Sequence, residues 1–142
     1  MNIILFTETE IRQSILRSDR KFKHIRRILK ASPGDRLKAG IINGKIGTIE
    51  IKTITSQQID FQFMPVCDPF DNLPLHIVCG LSRPQQVKRI LRDCSSQGVS
   101  SLWFFPTDSG EKSYSHSPVW EESSVQALVV EGLEQGGNTL SP

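Results

Sequence analysis

The chain has 142 residues, 37% of them hydrophobic and 23% charged, a balance that excludes a disordered or membrane-spanning chain and allows one domain or two small ones of roughly 70 residues. Its apolar start, Ile3–Phe6, has no basic flank and is too short for a signal segment or a span, so a cytoplasmic location is expected. The net charge of +2 conceals an asymmetry: Arg12 to Lys38 holds ten Lys or Arg against Asp19 and Asp35, a local +8, leaving seven basic and thirteen acidic residues elsewhere.

Ile3–Phe6 reads as a short strand, and Asp19 as the N-cap of a helix through Lys30. DRKFKHIRRILK, residues 19–30, packs six Lys or Arg and a histidine into twelve positions. At 100° per residue Phe22, Ile25, Ile28 and Leu29 share one arc, and Arg20, Lys23, His24, Arg26, Arg27 and Lys30 the opposite one. A merely solvated helix mixes signs for i,i+4 pairing, but no acid stands between Arg20 and Lys30. Such a face fits a phosphate backbone, bound by counterion release, and nucleic acid is the expected partner.

Ser32, Pro33, Gly34 and Asp35 form a turn signal that ends the helix. The period then changes to two. RLKAGII and KIGTIEIKTI flank Asn43-Gly44, a hairpin signal expected to adopt a type I′ turn, and QIDFQF (58–63) puts Ile59, Phe61 and Phe63 on one face. Residues 1–64 thus read as a small curled sheet or β-barrel with one basic helix, and the proline-rich residues 65–74 as a linker.

The second half reads differently. Leu75–Gly80 is a continuous apolar strand. Ser82 and Pro84 open a helix whose stripe is Val87, Ile90, Leu91 and Cys94, with Gly98 closing it. Val99–Phe105 is a second buried strand, and Ser117-Pro118 opens a helix to about Gln135. This β-α-β-α order implies a parallel sheet with right-handed crossovers, an α/β domain that needs more strands than these residues supply. Cys67, Cys79 and Cys94 have no CxxC spacing and no histidine pattern of a zinc site, so no metal is expected and they read as reduced packing thiols. His76 reads as a core histidine, Trp103 and Trp120 as packing residues, and His116 as a residue before a helix cap.

HIRRILKASPGD (24–35) resembles the H-[LI]-x-x-[VI]-L-[RK]-x-x-x-G-D run of the RsmE family, bacterial 16S ribosomal RNA uridine N3-methyltransferases; His24, Ile25, Ile28, Leu29, Lys30, Gly34 and Asp35 match it. Arg83 fills the family's basic residue before a helix, Gly98-Val99 its Gly-Val, Glu111-Lys112-Ser113 its Glu-[Arg/Lys]-Ser turn, and Glu134-Gln135 its Glu-Gln pair. The resemblance implies a PUA-like RNA-binding barrel over residues 1–64 and a SPOUT-type, knotted α/β domain from residue 75. It also implies S-adenosylmethionine as methyl donor, ribosomal RNA of the small subunit as partner, and a homodimer. Candidate catalytic residues are then Glu111, Lys112, Ser113, Glu134 and Gln135; candidate RNA-binding residues are Arg20, Lys23, His24, Arg26, Arg27, Lys30 and Arg83. The family's Gly-Pro-Glu-Gly-Gly donor loop has no counterpart here, so residues 75–142 are expected to be the first half of the methyltransferase domain, with the cofactor site beyond Pro142. Ser95-Ser96-Gln97 stands where the family has Thr-Glu-Leu, Asp93 where lysine is frequent, and Asn138 where arginine is common. A noncatalytic RNA-binding module is the alternative.

Overall fold

The apolar runs pair into two separate sheets, each in its own compact unit, Asn2–Pro69 and Phe70–Pro142. The structure, a computed structural model, describes residues 2–142.

In the first unit β1 (Ile4–Phe6), β2 (Ile15–Leu16), β3 (Arg36–Ile41), β4 (Ile46–Ile54) and β5 (Gln58–Cys67) form a curled sheet in the order β1-β3-β4-β5-β2. All its pairs are antiparallel except β1 with β3. Alternation does what period two predicts: Ile49, Ile51 and Ile59 are fully buried beside Leu5, Phe6 and Ile25, and the Phe6 and Phe61 rings lie 5.1 Å apart. The β3–β4 turn departs from the expected type I′. Asn43 alone of the pair takes positive φ, at 56°, and Gly44 N–H donates to Ile41 O at 2.8 Å, closing the turn around Ile42 and Asn43.

β5 runs on to Cys67 and the next strand begins at Leu73, so half of the proline-rich segment 65–74, expected as a linker, is strand and the non-strand part is 68–72. Pro65 is tolerated because it faces Gly47 across a β-bulge. Gly47 is required there: a Cβ would lie 2.1 Å from Met64 O.

The basic helix is the larger correction. Asp19 caps it, accepting from Lys21 N–H at 2.8 Å, but the α-helix α1 spans only Arg20–Lys23 and gives way to a π-helical turn over His24–Ile28. Leu29 N–H reaches back to His24 O at 3.0 Å and Ala31 N–H to Ile25 O at 3.1 Å, and Lys30 at φ 52° ends the turn ahead of the Ser-Pro-Gly-Asp signal. The wider turn advances each residue by less than 100°, so Phe22 and Ile25 stay buried whereas Ile28 is 69% and Leu29 42% exposed. The predicted four-residue dry face is only half there.

In the second unit β6 (Leu73–Gly80) and β7 (Val99–Phe105) are parallel neighbours, joined through α2 (Pro84–Gln97). Pro84 at its first turn and Gly98 at φ 69° bound α2 as predicted. The expected single last helix is two: a short 3-10 turn at Pro118–Trp120, then α3 (Glu122–Gly136), separated by extended backbone at Glu121. Val87, Leu91, Val119 and Leu128 make the core, with Leu102, Phe104 and Trp120 packed against it. The opposite face of the sheet is open. His76 is therefore exposed, bonded to Ser101 Oγ at 2.7 Å and not the core residue expected, and Trp103, expected in core and interface packing, is 56% exposed. Cys79 and Cys94 are half-buried free thiols, but Cys67 is exposed.

Candidate functional site

The lysines of the basic segment have divided fates. Lys21 is 7% exposed, its Nζ held by Glu10 Oε1 at 3.1 Å and Asp19 Oδ2 at 3.3 Å and set 5.3 Å from the Phe6 ring centroid. Glu10 is itself locked in a capping box, its Oε2 accepting from Thr7 N–H at 2.8 Å while Thr7 Oγ1 accepts from Glu10 N–H at 3.1 Å. Burial alone would raise the Glu10 pKa, but the Thr7 N–H and the Lys21 ammonium hold it below the ordinary carboxylate value. Lys21 is thus an internal clamp and offers no charge to a partner.

Arg20, Lys23, Arg26, Arg27 and Lys30 are exposed. Lys23, Arg26 and Arg27 come together in a cleft of about 480 Å³ with Phe22, Arg17 and Ser56; Arg20 and Lys30 lie outside its lining. Arg26 sits over the Phe22 ring at 5.8 Å. Arg17 is absent from the predicted RNA-binding residues, though it belongs to the basic run from Arg12 to Lys38, and its membership of that run was the available signal. His24 is half-buried, with its Nε2 sealed from solvent and without a hydrogen-bond partner among the described residues. Burial, then neighbouring positive charge including Arg20, pushes its pKa below the ordinary value, so the ring is neutral near pH 7 and adds hydrophobic bulk and no charge.

In the second unit, Glu111 and Lys112 line a cleft of about 280 Å³ with Leu81, Pro106, Thr107 and His116. The cleft lies just past the carboxyl ends of β6 and β7, where parallel sheets place their ligands. Ser113 is not in its lining but donates to Glu111 Oε1 at 3.3 Å. His116 joins the cleft because the backbone winds into a 3-10 turn over Lys112–His116; its sequence position carried no such signal. The candidate pair on α3 is split, Glu134 being 2% exposed and Gln135 exposed. Arg83, exposed, occupies the N-cap position of α2 without a side-chain cap. Asn138, in the place where arginine is common, is structural: its amide donates to Phe70 O at 3.3 Å and Asn72 Oδ1 at 3.4 Å. Among the described residues no group of three or more His, Cys, Asp or Glu could hold a metal ion, and no helix is long and apolar enough to cross a membrane.

Residues 70–142 match the family model of the RNA methyltransferase domain, and residues 18–64 that of the RNA methyltransferase PUA domain. The chain belongs to the RsmE family of RNA methyltransferases. This RsmE-family chain is 40% identical, over its whole length, to ribosomal RNA small subunit methyltransferase E of Treponema pallidum, and 28% identical to ribosomal RNA small subunit methyltransferase E 1 of Borreliella burgdorferi. It spans 55% and 60% of those two proteins. Its fold is shared, at TM-score 0.76 and 16% identity, with a probable rRNA methyltransferase from Porphyromonas gingivalis, of which it covers 58%. A ribosomal RNA small subunit methyltransferase E from Neisseria gonorrhoeae, bound to S-adenosyl methionine, gives TM-score 0.72 at 15% identity, with all of this chain and 59% of that one covered.

The methyl donor of such enzymes needs more room than the Glu111–His116 cleft offers. Its volume of about 280 Å³ is below the roughly 300–1,000 Å³ of small-molecule sites. These residues do not by themselves enclose S-adenosylmethionine.

Proposed function

We propose that this RsmE-family chain takes part in methylating N3 of a uridine in 16S ribosomal RNA, with S-adenosylmethionine as donor, in the cytoplasm and as a homodimer. The observation that carries the reading is the match to an RNA methyltransferase PUA domain and an RNA methyltransferase domain in succession, with 40% identity to the Treponema pallidum protein. The division of labour follows from chemistry. The cationic surface of the Asn2–Pro69 unit holds the RNA backbone. The loop beyond β7 receives the base. Uracil N3 keeps its proton at neutral pH, so that proton has to leave and the imide charge has to be stabilised. Glu111 and His116 are the groups in the cleft able to accept a proton, and Lys112 the cation able to face the imide. An unpaired uridine is the substrate this needs, since pairing blocks N3. Buried Glu134 serves to hold α3 in place, and Gln135 and Arg83 are left for RNA contact.

The second reading is a noncatalytic RNA-binding module, which the free cations of the Asn2–Pro69 unit would serve equally well. One experiment separates them: the chain is incubated with S-adenosylmethionine and 16S RNA from a strain lacking the modification, and 3-methyluridine is quantified in the digested nucleosides, alongside calorimetry with S-adenosylmethionine alone. Product and heat support the enzyme; neither, with RNA still bound, leaves the module. Changing Arg20, Arg27 and Lys30 together to Gln is expected to weaken RNA binding and flatten its salt dependence in either case.

A further inference from the structure

The cations of the first unit differ in their surroundings. Arg12, Lys21, Arg36, Lys45 and Lys52 each approach a carboxylate within the unit. Arg17, Lys23, Arg26 and Arg27 meet none among the described residues, yet all four line one cleft of about 480 Å³. Like charges gathered in a concave surface repel one another and focus their field into the hollow, an arrangement relieved only by an anion.

Both walls of this cleft are set by backbone bonds. Arg17 follows β2, and its N–H donates to Gln57 O at 2.8 Å, extending the β2–β5 ladder at Ile15–Ile59 and Leu16–Gln58. Ser56 stands in the β4–β5 turn, which Thr55 Oγ1 fastens by accepting from Gln57 N–H at 3.2 Å and Gln58 N–H at 3.0 Å. The opposite wall is α1 and the π-helical turn, whose altered phase puts Arg26 and Arg27 beside Lys23. The one aromatic residue in the lining, Phe22, is 5% exposed and lies under the Arg26 guanidinium, so no ring is offered for base stacking.

We infer that this cleft is a phosphate-binding channel for a single, unpaired RNA strand, gripped by its backbone and not read by sequence, with Arg17 as an essential member. The inference rests on the RNA-binding reading above and deepens it. Guanidinium forks on both walls suit bidentate phosphate contact, and Ser56 adds a hydroxyl donor. A hollow lined by cations accepts a flexible strand, whereas a duplex is engaged by elements laid across its grooves.

The test is fluorescence anisotropy with a labelled 12-nucleotide mixed-sequence RNA and with the duplex of the same length, over 50–200 mM salt. Each phosphate contact in a single strand contributes about −0.7 to the slope of log affinity against log salt. Arg17→Gln is therefore expected to flatten the slope by about 0.7, and to reduce the affinity lost over that range by about 2.6-fold. Arg17→Gln with Lys23→Gln flattens it by about 1.4, a sevenfold smaller loss. Lys38→Gln, an equal loss of charge outside the cleft, leaves the slope at its wild-type value. The single strand is expected to bind more tightly than the duplex. Unchanged slopes in the Arg17 variants, or a duplex bound as well as the single strand, would overturn the channel while leaving RNA binding intact; a wild-type chain that binds neither RNA would remove both.

Discussion

Gly132→Ala should destabilise the second unit even though alanine is the better helix former. A glycine inside a helix costs roughly 0.5–1 kcal/mol relative to alanine, so in open space the change would stabilise. Gly132 is not in open space. It is buried where α3 crosses α2, and a Cβ there would lie 2.4 Å from Arg92 O and 2.7 Å from Ser95 Cβ. One turn on, a Cβ at Gly136 would meet Ser96 O at 2.3 Å. The obstacles at both positions include backbone atoms of α2, which no rotamer change can move, so the helices would have to separate by about 1 Å to restore ordinary contact. That opens the core formed by Val87, Leu91, Val119 and Leu128. Overpacking of this kind costs about 1–3 kcal/mol, which exceeds the propensity gain and leaves a net loss of about 1–2 kcal/mol. For a domain of this size the melting temperature should fall by roughly 5–15 °C. Tryptophan fluorescence isolates the unit, because the only two tryptophans, Trp103 and Trp120, both belong to it, and Trp120 packs edge-on against Phe104 at 5.0 Å in the core. Gln126→Ala, on the exposed side of α3, is the control and should change stability by no more than about 0.5 kcal/mol. A Gly132→Ala chain that melts at or above the wild-type temperature would refute the close-crossing argument.

Gly47→Ala should disrupt the β4–β5 pair at the bulge, since the new methyl would meet Met64 O and Pro65 Cα, both backbone atoms; faster amide exchange at Ile49 and Ile51 by NMR, with the tryptophan transition of the other unit unchanged, is the expected signature. Lys21→Met should alter the acid response of the first unit. The Glu10 pKa lies below its ordinary value of 4.5, so its contribution to stability is present above that value and is lost as pH falls through the depressed one. Without the ammonium the Glu10 pKa should rise, and urea unfolding followed by NMR between pH 3 and 6 should show a flatter pH dependence; an unchanged profile would mean that Thr7 alone holds the carboxylate.

Strand alternation and helix punctuation were legible because they depend on local chemistry. Asp19, Pro84 and Gly98 each act where their side chains or φ preferences require. The π-helical turn was not legible, since HIRRI carries no residue type that distinguishes an i→i+5 bond from an i→i+4 bond; burial of Phe22 and Ile25 in the curled sheet sets the phase, and Ile28 follows outward. Pro65 misled for a related reason. A proline reads as a break until the partner strand supplies a glycine opposite it, and that pairing is 18 residues away in sequence. His76 and Trp103 misled because a continuous apolar run signals burial on both faces, whereas here the helices cover only the face bearing Leu102 and Phe104.

Candidate site residues divide along the same line. Positive charge could be counted along the chain, but whether a cation is free could not, because that depends on carboxylates brought near by tertiary structure. Lys21 and Lys23 are two residues apart and equally basic in sequence. One points to Glu10 and Asp19 and is neutralised; the other faces Arg17 across a cleft. Arg17 enters that cleft only because β2 pairs with β5 and thereby carries it beside the β4–β5 turn. The charge that matters to an RNA strand is therefore the remainder after the fold has matched what it can. In this unit four members of that remainder come together where a strand–strand register and a widened helical turn meet.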